Sequence, residues 1–122
     1  MKLSENFDSS EFACRCGCGF GEKPGDVSPK LIELLEKMRE TTGPLYITSG
    51  CRCPKHNRAI GGVDNSAHER GTAADLKVCN GRDRFLILSS AFKAGCLRVG
   101  DGAKFIHVDV DTKLETEVSW RY

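Results

Sequence analysis

His68 and His107 are two of only three histidines in the chain, and each stands near a carboxylate at a spacing that suits a metal ion. His68 lies in the run Ser66-Ala67-His68-Glu69-Arg70-Gly71-Thr72-Ala73-Ala74-Asp75. Gly71 lets the backbone turn tightly there, between a loop and a strand. Side chains alternate along a strand, so Ala73 and Asp75 share one face. A carboxylate among such small neighbours is costly to bury unless it is paired or holds a cation. His107 lies in Phe105-Ile106-His107-Val108-Asp109-Val110. Alternation puts His107 and Asp109 on one face and Ile106, Val108 and Val110 on the other, which is the natural core side. Two imidazoles and one carboxylate leave a fourth position open for water, the pattern of a catalytic zinc site. The same residues also read as a loop histidine and a polar pair on an exposed sheet face, and spacing alone leaves both readings standing.

The cysteines pose a second question. There are seven, so an all-disulfide scheme leaves at least one unpaired. Cys14, Cys16 and Cys18 crowd together, Cys51 and Cys53 flank Arg52, and Cys79 and Cys96 stand alone. The odd count favours thiols or a structural metal over a disulfide framework. The first three, with Cys51 or Cys53, are candidates for a disulfide or a structural zinc ion that tethers an N-terminal arm beside Arg52. The C-x-C-x-C spacing departs from the usual C-x₂-C zinc knuckle. No cysteine has a clear histidine partner in the sequence, which argues against a thiol protease.

Several elements must position these residues. Residues 1–27 hold few apolar positions and read as an irregular Cys-rich arm, pinned to the core by Phe7 and Phe12, with a short helical turn between Asn6 and Phe12. Ser28-Pro29 opens a helix, as an N-cap followed by proline at the first helical position. Leu31, Ile32, Leu34, Leu35 and Met38 form its apolar stripe, and Gly43-Pro44 stops it. Leu45 to Thr48 reads as a strand, residues 50–72 as a long loop, and Ala73 to Val78 as a second strand. A second helix is expected over Asp83 to Lys93, with Phe85, Leu86, Leu88 and Phe92 inward. Phe105 to Val110 is a third strand, and the tail 112–122 is expected to add an edge strand carrying Val118 and Trp120. The predicted fold is α+β, a single domain over 1–122 in which helices pack on a small, mainly antiparallel sheet.

Composition narrows the class. A length of 122 residues, with 39% hydrophobic and 29% charged, fits one soluble globular domain and excludes a disordered chain. Eighteen basic and seventeen acidic residues give a net charge of +1, with no basic footprint for nucleic acid, so a Cys-rich nucleic-acid module is disfavoured. No apolar run approaches the ~20 residues that span a bilayer, so membrane insertion is not expected. Met1 to Ser10 lacks the apolar centre of a signal peptide, which predicts synthesis in the cytoplasm and another route out if the protein acts outside.

The motif set Ser49-Gly50-Cys51-Arg52, His56-Asn57, Gly61-Gly62, Ser66-x-His68-x-x-Gly71-x-Ala73-x-Asp75 and His107-x-Asp109 resembles the M15 family of zinc D-Ala-D-Ala carboxypeptidases, especially its short phage- and bacterium-derived branch. Glu11-Phe12-x-Cys14 and the helix carrying Leu31 are similar to that branch too, so the likeness covers most of the chain. The resemblance implies the scaffold shared with hedgehog signalling domains and the vancomycin-resistance dipeptidase. It implies one catalytic zinc ion on His68, Asp75 and His107, and a peptidoglycan stem peptide as substrate for a monomeric enzyme. Arg52 matches an arginine that steadies the oxyanion in relatives; the alternative is a surface ion pair. Ser66 is expected to position Asp75 or the substrate, or else to cap its loop. Several relatives carry an acid three positions before the last histidine, where this chain has Lys104. Asp109 is then the first candidate for the general base and Asp101, in a Gly-rich loop, the second. Asp109 has two other readings, an outer carboxylate that orients a ligand, or a ligand itself, since some relatives carry His-x-His there. Carboxypeptidase and endopeptidase action both fit, with the cell wall as the site of action and a phage or prophage lysis protein as the favoured role. The alternative to an enzyme is a module that keeps the zinc ion, binds cell wall and has lost catalysis, and Lys104 is the feature in its favour.

Overall fold

The computed structural model describes residues 1–122. Helices α1 (Pro29–Thr42), α2 (Pro54–Ala59) and α3 (Gly81–Lys93) accompany strands β1 (Ile47–Ser49), β2 (Ala73–Lys77), β3 (Arg98–Asp101), β4 (Phe105–Asp109) and β5 (Val118–Arg121). The strands form one sheet in the order β1-β2-β4-β3-β5. The β1–β2, β2–β4 and β3–β4 pairs are antiparallel, and only β5 runs parallel to its neighbour, β3. The α+β, mainly antiparallel expectation therefore holds, with the tail as an edge strand.

One face of the sheet is apolar. Leu76, Val99, Ile106 and Val108 are fully buried there, in one core with Leu31, Leu35 and Met38 of α1 and Ile87 and Ala91 of α3. The arm is pinned as expected. Phe7 and Phe12 are buried and meet edge to face, with ring centroids 6.1 Å apart. Between them lies a 3-10 turn, Ser9–Glu11, closed by a reciprocal capping box between Asp8 and Glu11.

Three local expectations are corrected and one is refined. Residues 50–72 are mostly loop, as expected, but carry α2 and a 3-10 turn at Ala67–Arg70. The Gly-rich stretch around Asp101 is strand β3 rather than a loop. On α3 the buried side chains are Ile87, Ser90 and Ala91, while Phe85 and Phe92 are exposed. Small residues on that face let α3 approach α1 closely, which two phenylalanines would prevent. Ser28 precedes α1 without capping it through its side chain; its backbone N–H instead donates to the Gly71 carbonyl, 2.8 Å away.

The opposite face of the sheet carries the polar residues. Register pairing aligns Ser49, Asp75, His107, Gly100 and Trp120 in one row across all five strands. Residues paired in register project to the same side, so chemistry scattered over seventy residues of sequence converges on one line.

Candidate metal centre

The row brings together the residues singled out from sequence. Asp75 Oδ1 lies 3.2 Å from His68 Nε2 and 3.0 Å from His107 Nδ1. All three side chains are buried, and no other histidine joins them; His56 sits on α2 outside the cluster. Ligand atoms about 2.0–2.1 Å from a tetrahedral zinc ion lie about 3.3 Å apart, so this donor set fits the ion.

The backbone and an outer carboxylate fix which ring atom faces the centre. His68 Nδ1 donates to the Gly50 carbonyl at 2.6 Å, which leaves Nε2 for the ion. His107 Nε2 donates to Asp109 Oδ2 at 2.6 Å, which leaves Nδ1. Asp109 is itself fully engaged, since its Oδ1 accepts from Arg98 Nε at 2.8 Å and from the Asp111 N–H at 3.1 Å. Metal-binding histidines are commonly oriented by such a partner. Asp109 therefore stands behind the His107 ring, on the side away from Asp75. The geometry is that of an orienting carboxylate, with both oxygens already engaged.

Burial alone would push the Asp75 carboxyl up. Hydrogen bonds from His107 and His68 outweigh it and hold the group well below the ordinary carboxylate range. Burial likewise disfavours the charged form of His107, but its hydrogen bonds to Asp109 and Asp75 reverse the effect and raise its pKa. The centre thus favours an ionised carboxylate and a positive charge between the rings, whether protons or a metal supply that charge.

Arg52 reaches the same carboxylate. Its Nη2 is 3.0 Å from Asp75 Oδ2, while Nε donates to Ser49 Oγ at 2.9 Å and Nη1 to Asn57 Oδ1 at 3.2 Å. The ion pair is mostly buried rather than a surface pair. Asn57, also buried, is held by the Val63 carbonyl and Glu69 Oε2, each 2.8 Å from its Nδ2. Ser66 caps the 3-10 turn that carries His68, accepting from the His68 N–H at 3.2 Å; it orients the histidine and does not touch Asp75. Gly71 ends that turn in the left-handed conformation, φ 69°, and a side chain there would strike the Asp26 carbonyl.

Asp101 is not brought to the centre. It pairs in register with Ile106, on the core side of the sheet, and its carboxylate accepts from Arg84 of α3. Lys104 is exposed in the turn between β3 and β4. Two residues of the site carried no motif signal. Arg98 braces Asp109, and Trp120 lies across Gly100 with its ring 5.3 Å from that of His107 and the Arg98 guanidinium 5.0 Å from its centre. A Cβ on Gly100 would sit 2.6 Å from the indole nitrogen, so the glycine is what lets Trp120 lie flat over the strand.

His68, Asp75 and His107 open onto a cleft of about 400 Å³. Ile60, Val63, Leu114, Trp120 and Tyr122 form its apolar walls, and Arg52 and Ser66 its polar ones. Asp75 and Asp109 are the only carboxylates that line it.

A small α+β domain with a two-histidine, one-aspartate centre at the foot of an open cleft is built as a metal-dependent hydrolase. The Peptidase M15 family model matches residues 5–109, and the chain belongs to that family of metallopeptidases. No curated protein matches the chain. Trp120 and Tyr122, which line the cleft, lie beyond the matched residues.

Proposed function

We propose that the protein is a monomeric zinc peptidase that hydrolyses stem peptides of bacterial peptidoglycan. The observation that carries the reading is the approach of His68 Nε2 and His107 Nδ1 to one oxygen of Asp75, beside Arg52 and at the base of an open cleft. A zinc ion held by those three atoms would act as a Lewis acid on the scissile carbonyl and make water a better nucleophile.

The chain's own groups do the rest. Arg52 is held by three partners, so its fixed positive charge needs little reorganisation to face the oxygen that becomes negative as the carbonyl is attacked. Asp109 keeps the His107 proton on Nε2 and Gly50 keeps the His68 proton on Nδ1. Trp120 and Tyr122 supply a flat wall against which a short peptide with small side chains can lie. In the overall reaction one water adds across the peptide bond, giving a carboxylate and an amine.

One observation favours a second reading. Both carboxylates of the cleft are already engaged, and position 104 holds lysine, so no free acid faces the open side to take the water's proton. On that reading the protein keeps the ion and binds stem peptides without cutting them. Mass spectrometry of muropeptides after incubation, with and without a chelator and with His68→Ala, separates the two. New amine termini that vanish with chelator and with the variant support the peptidase. Zinc-dependent retention on peptidoglycan with no cleavage supports the binding module. The same spectra tell loss of a terminal D-Ala from a cut within the stem or cross-bridge.

A further inference from the structure

The N-terminal arm gathers a second set of donor atoms. Cys14 N–H donates to the Phe20 carbonyl at 2.8 Å and Gly17 N–H to the Cys14 carbonyl at 3.1 Å, closing a tight loop over residues 14–20. Gly17 takes φ 80°, which turns the chain between Cys16 and Cys18. The loop docks against the start of α2, where Cys53 is the N-cap. The sulfurs of Cys14, Cys16, Cys18 and Cys53 all lie within 4.8 Å of one another. Cys16 Sγ is 3.4 Å from Cys14 Sγ and 3.7 Å from Cys53 Sγ.

We propose that these four thiolates hold a structural zinc ion, distinct from the His68–Asp75–His107 centre. Four sulfurs about 2.3 Å from a tetrahedral zinc ion lie about 3.8 Å apart, close to the separations here. Cys16 has two sulfur neighbours within 0.3 Å of the same distance, which suits a shared ion better than one exclusive S–S bond. Backbone N–H groups point at two of the sulfurs, from Cys53 to Cys14 Sγ and from His56 to Cys53 Sγ, both at 3.4 Å. Such donors favour thiolates.

The other cysteines are elsewhere. Cys51 is buried in the core with its sulfur towards the Asp26 carbonyl, Cys96 is buried against the Arg98 carbonyl, and Cys79 is exposed. The ion would staple the arm to the residue next to Arg52. The Cys51 N–H already donates to the Phe12 carbonyl at 2.8 Å, so the staple and this bond hold the Arg52 loop from both sides.

The test is metal content of the full chain, purified under reducing conditions with zinc present. The parent is expected to carry about two zinc ions per chain, and His68→Ala and Cys53→Ser about one each. Cobalt substitution of the His68→Ala chain gives a readout that does not require a folded cysteine variant. It is expected to show intense thiolate-to-cobalt charge transfer together with tetrahedral ligand-field bands. A His68→Ala chain that takes up no zinc and gives no thiolate–cobalt absorption overturns the proposal. So does a non-reducing mass spectrum in which the four thiols of the zinc-loaded protein prove to be two disulfides. Because His68→Ala removes the catalytic centre, failure here leaves the peptidase reading untouched, and loss of peptidase activity leaves this site untouched.

Discussion

Asp109→Asn is the sharpest perturbation of the centre, because it changes charge and hydrogen-bond sense with almost no change in shape. Both oxygens of Asp109 accept: Oδ2 from His107 Nε2, and Oδ1 from Arg98 Nε and the Asp111 N–H. An asparagine has one acceptor oxygen and one donor nitrogen at those places. If its oxygen faces Arg98, its NH₂ faces His107, and the imidazole must offer a bare Nε2 and carry its proton on Nδ1. That proton then occupies the atom aimed at Asp75 and the ion. If the amide turns over, its NH₂ meets the Arg98 guanidinium donor to donor. Removing an outer partner of a metal-binding histidine typically costs tenfold to hundredfold in metal affinity, about 1.4–2.7 kcal/mol. Arg98 also loses its charged partner in a largely buried place, which should lower stability by about 2–3 kcal/mol.

Zinc affinity is measured by competition with a chromophoric chelator, and stability by urea unfolding of the metal-free protein. Adding Arg98→Met to Asp109→Asn removes the stranded cation, so stability should recover while zinc affinity stays weak. A folded Asp109→Asn protein that binds zinc within about twofold of the parent refutes the orienting role. If it has also lost turnover, Asp109 is the proton acceptor instead.

Four further outcomes follow from the same geometry. Trp120→Ala removes a ring stacked beside His107 and under Arg98, and should cost about 1–2 kcal/mol in urea unfolding and raise KM more than it lowers kcat; an unchanged KM would remove Trp120 from the substrate wall. Gly71→Ala puts a Cβ 1.8 Å from the Asp26 carbonyl at a left-handed φ, and should cost about 3 kcal/mol or more, against a refuting loss of under about 1 kcal/mol. Asp111 accepts from Arg70 Nε, Thr72 Oγ1 and the Lys113 N–H, and these outweigh burial to lower its pKa. A lowered folded pKa gives stability that is present above the unfolded value and lost as pH falls through the folded one. With chelator present, Asp111→Asn should therefore be less stable by about 2 kcal/mol at pH 7, and the gap should close below about pH 4; a gap that persists in acid refutes this. Finally, zinc uptake should tighten as pH rises through the raised His107 pKa and should release protons below it, which calorimetry in buffers of different ionisation enthalpy measures; uptake at about pH 6 without proton release would exclude His107 as a ligand.

The parts of the site legible in the sequence are those written in short-range rules. Alternation alone placed His107 with Asp109 and Asp75 with Ala73, and the register bears both out. What was hidden depends on pairing between distant segments. Gly100 and Gly102 depress the strand signal of β3, yet Gly100 is small because the indole of Trp120 must cross it, a fact that exists only once β5 has docked. Arg98 and Trp120 were invisible as site residues for the same reason. Helix α2 is one short polar segment with no apolar stripe, and only its proline at the first turn marks it. On α3 hydrophobicity alone points to Phe85, Leu86, Leu88 and Phe92 as the inner face, whereas the buried face is Ile87, Ser90 and Ala91 with Leu88 packed beside them. The glycines around Asp101 read as a loop; as a strand residue paired with Ile106 it faces away from His107.

The centre also shows why so polar a row can be buried in a small domain. Every buried side-chain nitrogen and oxygen has a partner. His107 sits between the carboxylates of Asp109 and Asp75, and His68 sits between the Gly50 carbonyl and Asp75. Each ring thus has an acceptor fixed on its outer side and shares Asp75 Oδ1 on its inner side. The outer bonds are the same with or without an ion. The inner atoms of both rings already face one Asp75 oxygen, so a metal ion would find its three donors in position and little of its binding energy would be spent on moving side chains. The arrangement requires Asp75 to stay ionised at low dielectric, and the Arg52 guanidinium on its other oxygen helps to secure that. Arg52 thus pairs with the outer oxygen of Asp75 and also lines the cleft, as Arg98 does.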